Sequence, residues 1–515
     1  MKKIFTLILG LGLFAGISLN AQDAMVRIHD GGTGEVIPAE IYGQFSEHLG
    51  RCIYGGLWVG PESDVPNING YRKDVFEALK ALKVPVMRWP GGCFADDYHW
   101  RDGIGPQEQR AYISNNNWGG TLEDNSFGTH EFLNLCEMLD IEPYISGNVG
   151  SGTVEEMAEW VEYMTSDAKS TMADLRRANG REEPWKVKYF GIGNEAWGCG
   201  GSMTPEYYSD LFRQYQTYLR NFGDNRLYKI ASGASDYDYN WTKVLMQNLT
   251  RKGMAGLSLH YYTVINWGKK GPALGFSDKE YYNIVSKAIE IEDVLKKHIE
   301  IMDEIDPRGT VDLLLDEWGT WYDVEPGTNP GHLYQQNTMR DAIVAALNFN
   351  IFHKYTRRLK MANIAQVVNV LQAMILTNET EMVLTPTYHV FEMYNVHQDA
   401  EFLASDCITG KIKNDRKFDV PEVDVTASRK DGQMNISLVN SDLKKEKKVV
   451  VSFDNPQAIS KILAARVLTS KDVRDYNDFG KADVVAPAQF KAYKLTKAGL
   501  EVTLPPCSIV AISAK

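Results

Sequence analysis

Two segments, GIGNEAW (191–197) and LLLDEWGTWYD (313–323), each run an apolar, strand-like stretch directly into a glutamate. Two carboxyl groups raised on separate strand ends are what cleavage of a glycosidic bond requires. One stays protonated to assist the departing oxygen, and the other stays ionised to attack or support the anomeric carbon. Glu195 follows YFGIGN and precedes Ala-Trp-Gly, and Glu317 follows VDLLLD and precedes Trp-Gly-Thr-Trp. Either glutamate alone reads as an ordinary loop-edge charge. As a pair, each at a strand end beside tryptophan, they read as a catalytic couple, with Asn194 placed to donate a hydrogen bond to a substrate hydroxyl.

Elements able to raise two such residues follow from the pattern around them. Between about residues 41 and 375, short apolar runs alternate with longer stretches whose apolar residues recur every three or four positions, the alternation of βα units and a parallel sheet. Strands are predicted at IYGQFSE (41–47), VPVMRWP (84–90), EPYISGN (142–148), KVKYFGIGNE (186–195), LYKIASG (227–233), GLSLHYY (256–262), VDLLLDEW (311–318) and IAQVVNVL (364–371). Helices are predicted at 72–82, 129–140, 154–164, 205–222 and 338–355. Eight strands with intervening helices predict a (β/α)8 TIM barrel over 41–384, with both glutamates on the rim where loops carry chemistry. A doubly wound sheet is the alternative, but no GxGxxG loop stands between a strand and a helix. From 385 to 515 the pattern changes to short alternating segments, including VDVTASRKDGQMNISLVN around Asp431-Gly432. It predicts an all-β sandwich, with strands from 22–40 joining it.

Composition bounds the partners. The 515 residues are 44% hydrophobic and 24% charged, ordinary for a large globular chain. Fifty-five basic against 67 acidic residues give a formal charge of -12, a poor surface for nucleic acid or anionic membranes. Lys2 and Lys3 ahead of an apolar run ending near Ala21 have the layout of a signal peptide over 1–21. They predict export to a periplasm or the medium and no membrane insertion after cleavage. The six cysteines are too sparse for a disulfide scaffold, and none has metal-site spacing. Cys93 and Cys199 each lie beside a candidate site segment.

IYGQFSEHLGRCIYGGLWVG (41–60), RWPGGCFADDYHWRDGIGP (88–106), GIGNEAWGCGG (191–201), SLHYYT (258–263) and DEWGTWYD (316–323) resemble, in order, the signature segments of α-L-arabinofuranosidases of glycoside hydrolase family 51. The resemblance implies an exo-acting, retaining enzyme with a C-terminal jelly-roll domain. It implies release of terminal α-L-arabinofuranosyl groups from arabinose-containing oligo- or polysaccharides, with no metal or other cofactor. It assigns Glu195 as acid/base, Glu317 as nucleophile and Asn194 as a ligand of the sugar 2-hydroxyl. It further assigns Glu47 to sugar hydroxyls, Arg88 to bracing the nucleophile, His260 and Tyr262 to the pocket lining, Trp321 to an aromatic wall and Gln366 to a further sugar contact. Members often form homo-oligomers. One departure is Cys93, where many members have asparagine; a thiol is a poor partner for hydroxyls. Cys93 as a pocket-wall thiol and Cys93 bridged to Cys199 both stand open.

Blander readings stand beside these. Arg88 also fits a buried ion-pair partner, His260 a satisfied core histidine, and Trp197, Trp318 and Trp321 simple packing; Trp58, Trp89, Trp100 and Trp118 support the pocket less specifically. The rival functions are an endo-acting xylanase or glucanase on a similar barrel and a carbohydrate-binding protein with a decayed catalytic pair. A metal hydrolase finds no HExxH motif.

Overall fold

The structure, a computed structural model, describes residues 23–515; the leader-like segment 1–21 lies outside the described residues. Eight parallel strands close into a barrel: β1 (Gly43–Phe45), β2 (Val86–Trp89), β3 (Glu142–Gly147), β4 (Tyr189–Ile192), β5 (Tyr228–Ser235), β6 (Gly256–Thr263), β7 (Asp312–Thr320) and β8 (Leu359–Ala365). Each pairs with its sequence neighbour, and β8 closes on β1. β2, β4 and β6 are buried along their whole length. Helices cover the outer face and side chains fill the inner one, so these strands read as continuous apolar runs rather than alternating ones. Val86, Tyr144, Tyr189, Ile230, Leu314 and Met361 fill the barrel's lower interior. That layer makes the barrel a solid platform rather than a pore.

The helices start where the sequence supplies caps. Thr153, Thr204 and Thr338 each accept a backbone N–H of the first turn of helices Val154–Thr165, Pro205–Tyr218 and Met339–Lys354. The third has a full capping box with Asp341.

The predicted eighth strand, 364–371, is displaced: the observed one is Leu359–Ala365. The apolar run after Ala365 is a buried connection, in which Asn369 and Leu371 take left-handed backbone angles (φ 60° and 52°) that a strand does not contain. Apolar character alone could not separate a buried strand from a buried loop there.

A two-sheet sandwich follows the barrel. One sheet orders Ser405–Thr409, Ala24–Ile28, Lys447–Phe453, Gly499–Leu504 and Tyr493–Thr496. The other orders Glu401–Leu403, Val423–Lys430, Gln433–Asn440, Ser508–Ala514, Ile462–Thr469 and Ala488–Gln489. The chain's first described strand thus lies inside the sandwich, parallel to Lys447–Phe453. Asp431 and Gly432 turn the central hairpin with φ of 50° and 73°, as a two-residue type I′ turn demands. Helix Met339–Lys354 is buried nearly throughout because it lies between barrel and sandwich. There Tyr42 Oη meets His353 Nε2 at 2.9 Å, His353 Nδ1 meets Thr426 Oγ1 at 2.9 Å, and Asn350 donates to Asp424. No helix among the described residues is long and apolar enough to cross a membrane.

Candidate active site

The two glutamates come together above the C-terminal ends of β4 and β7. In β7 the register against β6 slips by one residue, so that Leu259 faces Leu315 but His260 faces Glu317. This bulge sets Glu317 opposite His260, while Asp316 accepts the Tyr144 hydroxyl at 2.6 Å. Glu195 lies three residues past β4, in a turn where Gly193 and Glu195 both have positive φ, 84° and 39°. A Cβ on Gly193 would stand 2.4 Å from Val149 Cγ2, so glycine is required on steric grounds as well. A glutamate held left-handed costs about 1–3 kcal/mol, the kind of strain that collects at functional sites. Ser232 accepts the following Ala196 N–H, and Trp197 Nε1 donates to Gly233 O, which together fix the turn against β5.

Arg88, at the end of β2, organises the floor. Its Nη1 donates to Glu317 Oε1 at 2.8 Å, Nη2 to Asn194 Oδ1 at 2.6 Å and Nε to Ser146 Oγ at 3.1 Å. Because Arg88 takes the Asn194 carbonyl, the amide NH2 is turned away from it, toward the cavity. Tyr262 Oη donates to the second Glu317 oxygen at 2.8 Å. His260 Nδ1 lies 2.9 Å from Glu195 Oε1 and 3.6 Å from Glu317 Oε2, bridging the pair. One carboxylate oxygen each of Glu195 and Glu317 and a ring nitrogen of His260 all lie within 4.8 Å of one another.

Electrostatics separate Glu317 from Glu47. Burial alone would raise the Glu317 pKa; the charges of His260 and Arg88 and the hydrogen bonds from Arg88 and Tyr262 outweigh it and hold the group below its usual range, ionised. Burial works to lower the His260 pKa, but the Glu317 charge and the hydrogen bond to Glu195 outweigh it and hold it up. Glu47, by contrast, is pushed up to about 7 by burial and by the Glu317 charge, against the donors it accepts. Its Oε1 accepts Gly92 N, Phe94 N and Trp118 Nε1, and its Oε2 accepts Gln366 Nε2. Gln366 Oε1 is buried with no partner within the protein, a free acceptor beside the cavity.

These groups surround a small cavity, in which Leu49, Trp118, Leu333 and Leu371 complete the wall. Of the residues singled out from sequence, Glu47, Cys93, Asn194, Glu195, Tyr262, Glu317, Trp321 and Gln366 line it. Arg88 and His260 sit beneath, in contact with the glutamates. Trp321 packs edge-on against Tyr262 at 4.9 Å. Cys93 is bonded to Cys199, closing one of the two alternatives left open, and the other four cysteines are free. The supporting tryptophans divide. Trp118 reaches Glu47, whereas Trp58, Trp89 and Trp100 lie in the aromatic core. Trp318, next to an inward glutamate, points outward against Phe349 and Phe352, as strand alternation requires.

Sequence reasoning missed Asp96. Its carboxylate accepts the backbone N–H groups of Val149, Gly150 and Asn194, tying the loops after β2, β3 and β4 together behind the cavity. A doubled acid, Asp96-Asp97, directly after the apolar Phe94-Ala95 in the loop past β2 was the available signal.

One consequence concerns Arg88 directly. Arg88→Gln leaves Glu317 buried without its counter-charge, so the acidic limb of kcat/KM moves to higher pH and the fold loses on the order of 3–5 kcal/mol. A pH–rate profile beside a denaturant titration measures both; an unmoved acidic limb would mean that Arg88 does not set the charge of Glu317.

Comparison with known proteins places the chain. Residues 78–274 match the family profile described as alpha-L-arabinofuranosidase 1 domain, and 316–508 that of the alpha-L-arabinofuranosidase C-terminal domain. An intracellular exo-alpha-L-arabinofuranosidase of Bacteroides ovatus is 61% identical over 97% of each chain. A probable alpha-L-arabinofuranosidase C of Aspergillus niger is 33% identical over 90% of this chain and 93% of its own. Among solved structures, the GH51 arabinofuranosidase of Xanthomonas axonopodis pv. citri superposes with a TM-score of 0.93 at 46% identity, covering 96% of this chain and all of the other. The alpha-L-arabinofuranosidase of Thermotoga maritima, an arabinose complex, gives 0.83 at 31% identity over 95% and 99%.

The Bacteroides relative corrects one expectation. It is named an intracellular enzyme, which overturns the export predicted from residues 1–21 and the periplasmic or extracellular location built on it. Lysines ahead of an apolar run are a compositional pattern in a short segment, and it is outweighed by identity along nearly the whole of both chains. The closed eight-stranded barrel, the C-terminal sandwich and the matches along almost all of the described chain agree, and the protein belongs to the α-L-arabinofuranosidases of glycoside hydrolase family 51.

Proposed function

We propose that this protein is an exo-acting, retaining glycoside hydrolase that releases terminal non-reducing α-L-arabinofuranosyl residues by double displacement. The observation that carries the reading is the convergence of Glu195, Glu317 and His260 within 4.8 Å at one small cavity. Carboxyl groups this close suit direct attack on the sugar, for which ~5–5.5 Å separation is usual; inversion needs ~6.5–9.5 Å to admit a water. A narrow pocket walled by Leu49, Trp118, Trp321, Leu333 and Leu371 suits one terminal pentose, and this favours exo action over an endo-acting xylanase or glucanase.

In the first step Glu317, ionised by Arg88, Tyr262 and His260, attacks the anomeric carbon while Glu195 protonates the departing alcohol. In the second, Glu195 takes a proton from water, which displaces Glu317 and frees arabinose. Asn194 donates to the 2-hydroxyl through its amide NH2, whose one protein contact is a long one to Cys199 Sγ at 3.8 Å, and Glu47 and Gln366 hold other hydroxyls. Trp321 offers an aromatic face to the sugar or its leaving group. The name of the Bacteroides relative supports action inside the cell, which favours arabinose-containing oligosaccharides small enough to be imported over intact plant polysaccharide.

A panel of nitrophenyl glycosides tests the specificity. Rapid turnover of the α-L-arabinofuranoside, with β-D-xyloside, β-D-glucoside and α-L-arabinopyranoside left nearly untouched, is expected. Comparable turnover of any of those three would refute the pocket assignment.

A further inference from the structure

The bridge between Cys93 and Cys199 joins the loop after β2 to the loop after β4, with Cα atoms 5.5 Å apart. Its position is unusual for a structural staple, because both loops are already held without it. Glu47 accepts the N–H groups on either side of Cys93, those of Gly92 and Phe94. Asp96 accepts Asn194 N–H, and Gly198, Gly200, Gly201 and Ser202 close a run of backbone turns around Cys199. The bridge stands instead against the chemistry. Cys199 Sγ lies 3.6 Å from Glu195 Oε2, and Cys93 lines the sugar cavity.

We infer that the reduced Cys93–Cys199 pair, together with Glu195, forms a binding site for a thiophilic divalent cation of the zinc class, and that occupation of this site stops the enzyme. The inference rests on the proposed acid/base role of Glu195 for its effect on turnover, but not for binding. Cys93 Sγ, Cys199 Sγ and a Glu195 carboxylate oxygen lie within 4.8 Å of one another. Tetrahedral zinc with bonds of ~2.3 Å to sulfur and ~2.1 Å to oxygen sets its sulfur and oxygen ligands about 3.6 Å apart, and two sulfurs about 3.8 Å apart. The first separation exists already between Cys199 and Glu195. The second is reached when the S–S bond opens and the two side chains rotate apart.

Reduction consumes two equivalents of a small thiol: each cysteine sulfur gains a hydrogen, and the thiol leaves as its own disulfide. The cation then displaces the two thiol protons to solvent, leaving two thiolates, one carboxylate and an open fourth position for water. Glu195 bound in this way can neither protonate a leaving group nor activate water. The bridge is therefore a guard as well as a link: the oxidised pair cannot take the metal, and the reduced pair can. A cell interior keeps thiols reduced, which is where such a site would be exposed to metal.

The test uses the full-length enzyme, oxidised or reduced with a phosphine, desalted, and titrated with zinc alone. One zinc per chain bound by the reduced enzyme and none by the oxidised enzyme is expected, measured by displacement from a chromogenic chelator. A loss of at least about tenfold in aryl arabinofuranoside turnover, reversed by chelator, should accompany it. Cys199→Ser should bind no zinc after reduction, and its rate should not change on zinc addition. Cys407→Ser, in the half-buried sandwich position, should respond as the parent does. Equal binding by the oxidised enzyme, or by Cys199→Ser, would place the metal elsewhere and overturn the inference, as would full turnover with one zinc bound. Zinc bound only by the reduced parent, in an enzyme inactive on arabinofuranosides in either state, would keep the site and overturn the proposed function instead.

Discussion

Glu317→Ala should abolish turnover on every arabinofuranoside, whatever its leaving group, with kcat reduced by at least about four orders of magnitude. The expectation follows from what surrounds this carboxylate. It is buried, it accepts Arg88 at one oxygen and Tyr262 at the other, and its pKa is held low against the cost of burial. A carboxylate that is merely structural has no need of so much positive charge. The other carboxyl groups around it are committed: Asp316 accepts Tyr144, Glu47 accepts four donors of its own, and Glu195, within 4.8 Å, is the proposed acid/base on the leaving-group side. Alanine also leaves Arg88 with a lost partner, so thermal unfolding must be measured beside kinetics. Glu317→Gln, which keeps volume and one hydrogen-bond acceptor, should be equally inactive while folding as the parent does at assay temperature, although the buried Arg88 loses its counter-charge and stability falls by up to about 3–5 kcal/mol. Activity within about tenfold of the parent in the glutamine variant would remove Glu317 from the chemistry.

Glu195→Ala should divide substrates by leaving group. Poor leaving groups need the proton, so their kcat/KM should fall by about 10²–10⁴. A dinitrophenyl arabinofuranoside departs without it and should keep kcat/KM near the parent value. Its kcat should still fall, because water is no longer activated in the second step; the glycosyl-enzyme accumulates and KM falls in proportion. A burst of dinitrophenol equal to one equivalent of enzyme is the visible sign. Equal losses in kcat/KM on both substrates would take the acid role away from Glu195.

How much of this was legible in the sequence depends on where the information sits. Glu195 and Glu317 could be found because their chemistry needs carboxyl groups at strand ends, and both lie in segments whose apolar runs mark the strands. The seven strands before β8 were visible for the same reason: buried parallel strands are short, apolar and bounded by polar turns. β8 was misplaced because the buried connection after Ala365 is just as apolar, and only its backbone angles distinguish it. Leu333 and Leu371, which close the cavity wall, carry no chemical mark and arrive there through tertiary packing alone. Trp89, Trp100 and Trp318 show the converse: their residue type suggested a sugar platform, but strand alternation and core packing turn them away from the pocket. Disulfide pairing is not written in sequence, so Cys93–Cys199 could only be left open. The location expected from residues 1–21 rested on composition in a short segment and gave way to evidence from the whole chain.

The central claim, that Glu317 and Glu195 act in two successive displacements, is tested most directly by running the reaction in aqueous methanol and identifying the methyl glycoside by NMR. Methanol intercepts the glycosyl-enzyme and fixes the configuration before free arabinose can equilibrate. Two inversions return the starting configuration, so methyl α-L-arabinofuranoside is the expected product. Methyl β-L-arabinofuranoside would mean a single displacement and would contradict the assignment of Glu317 as nucleophile.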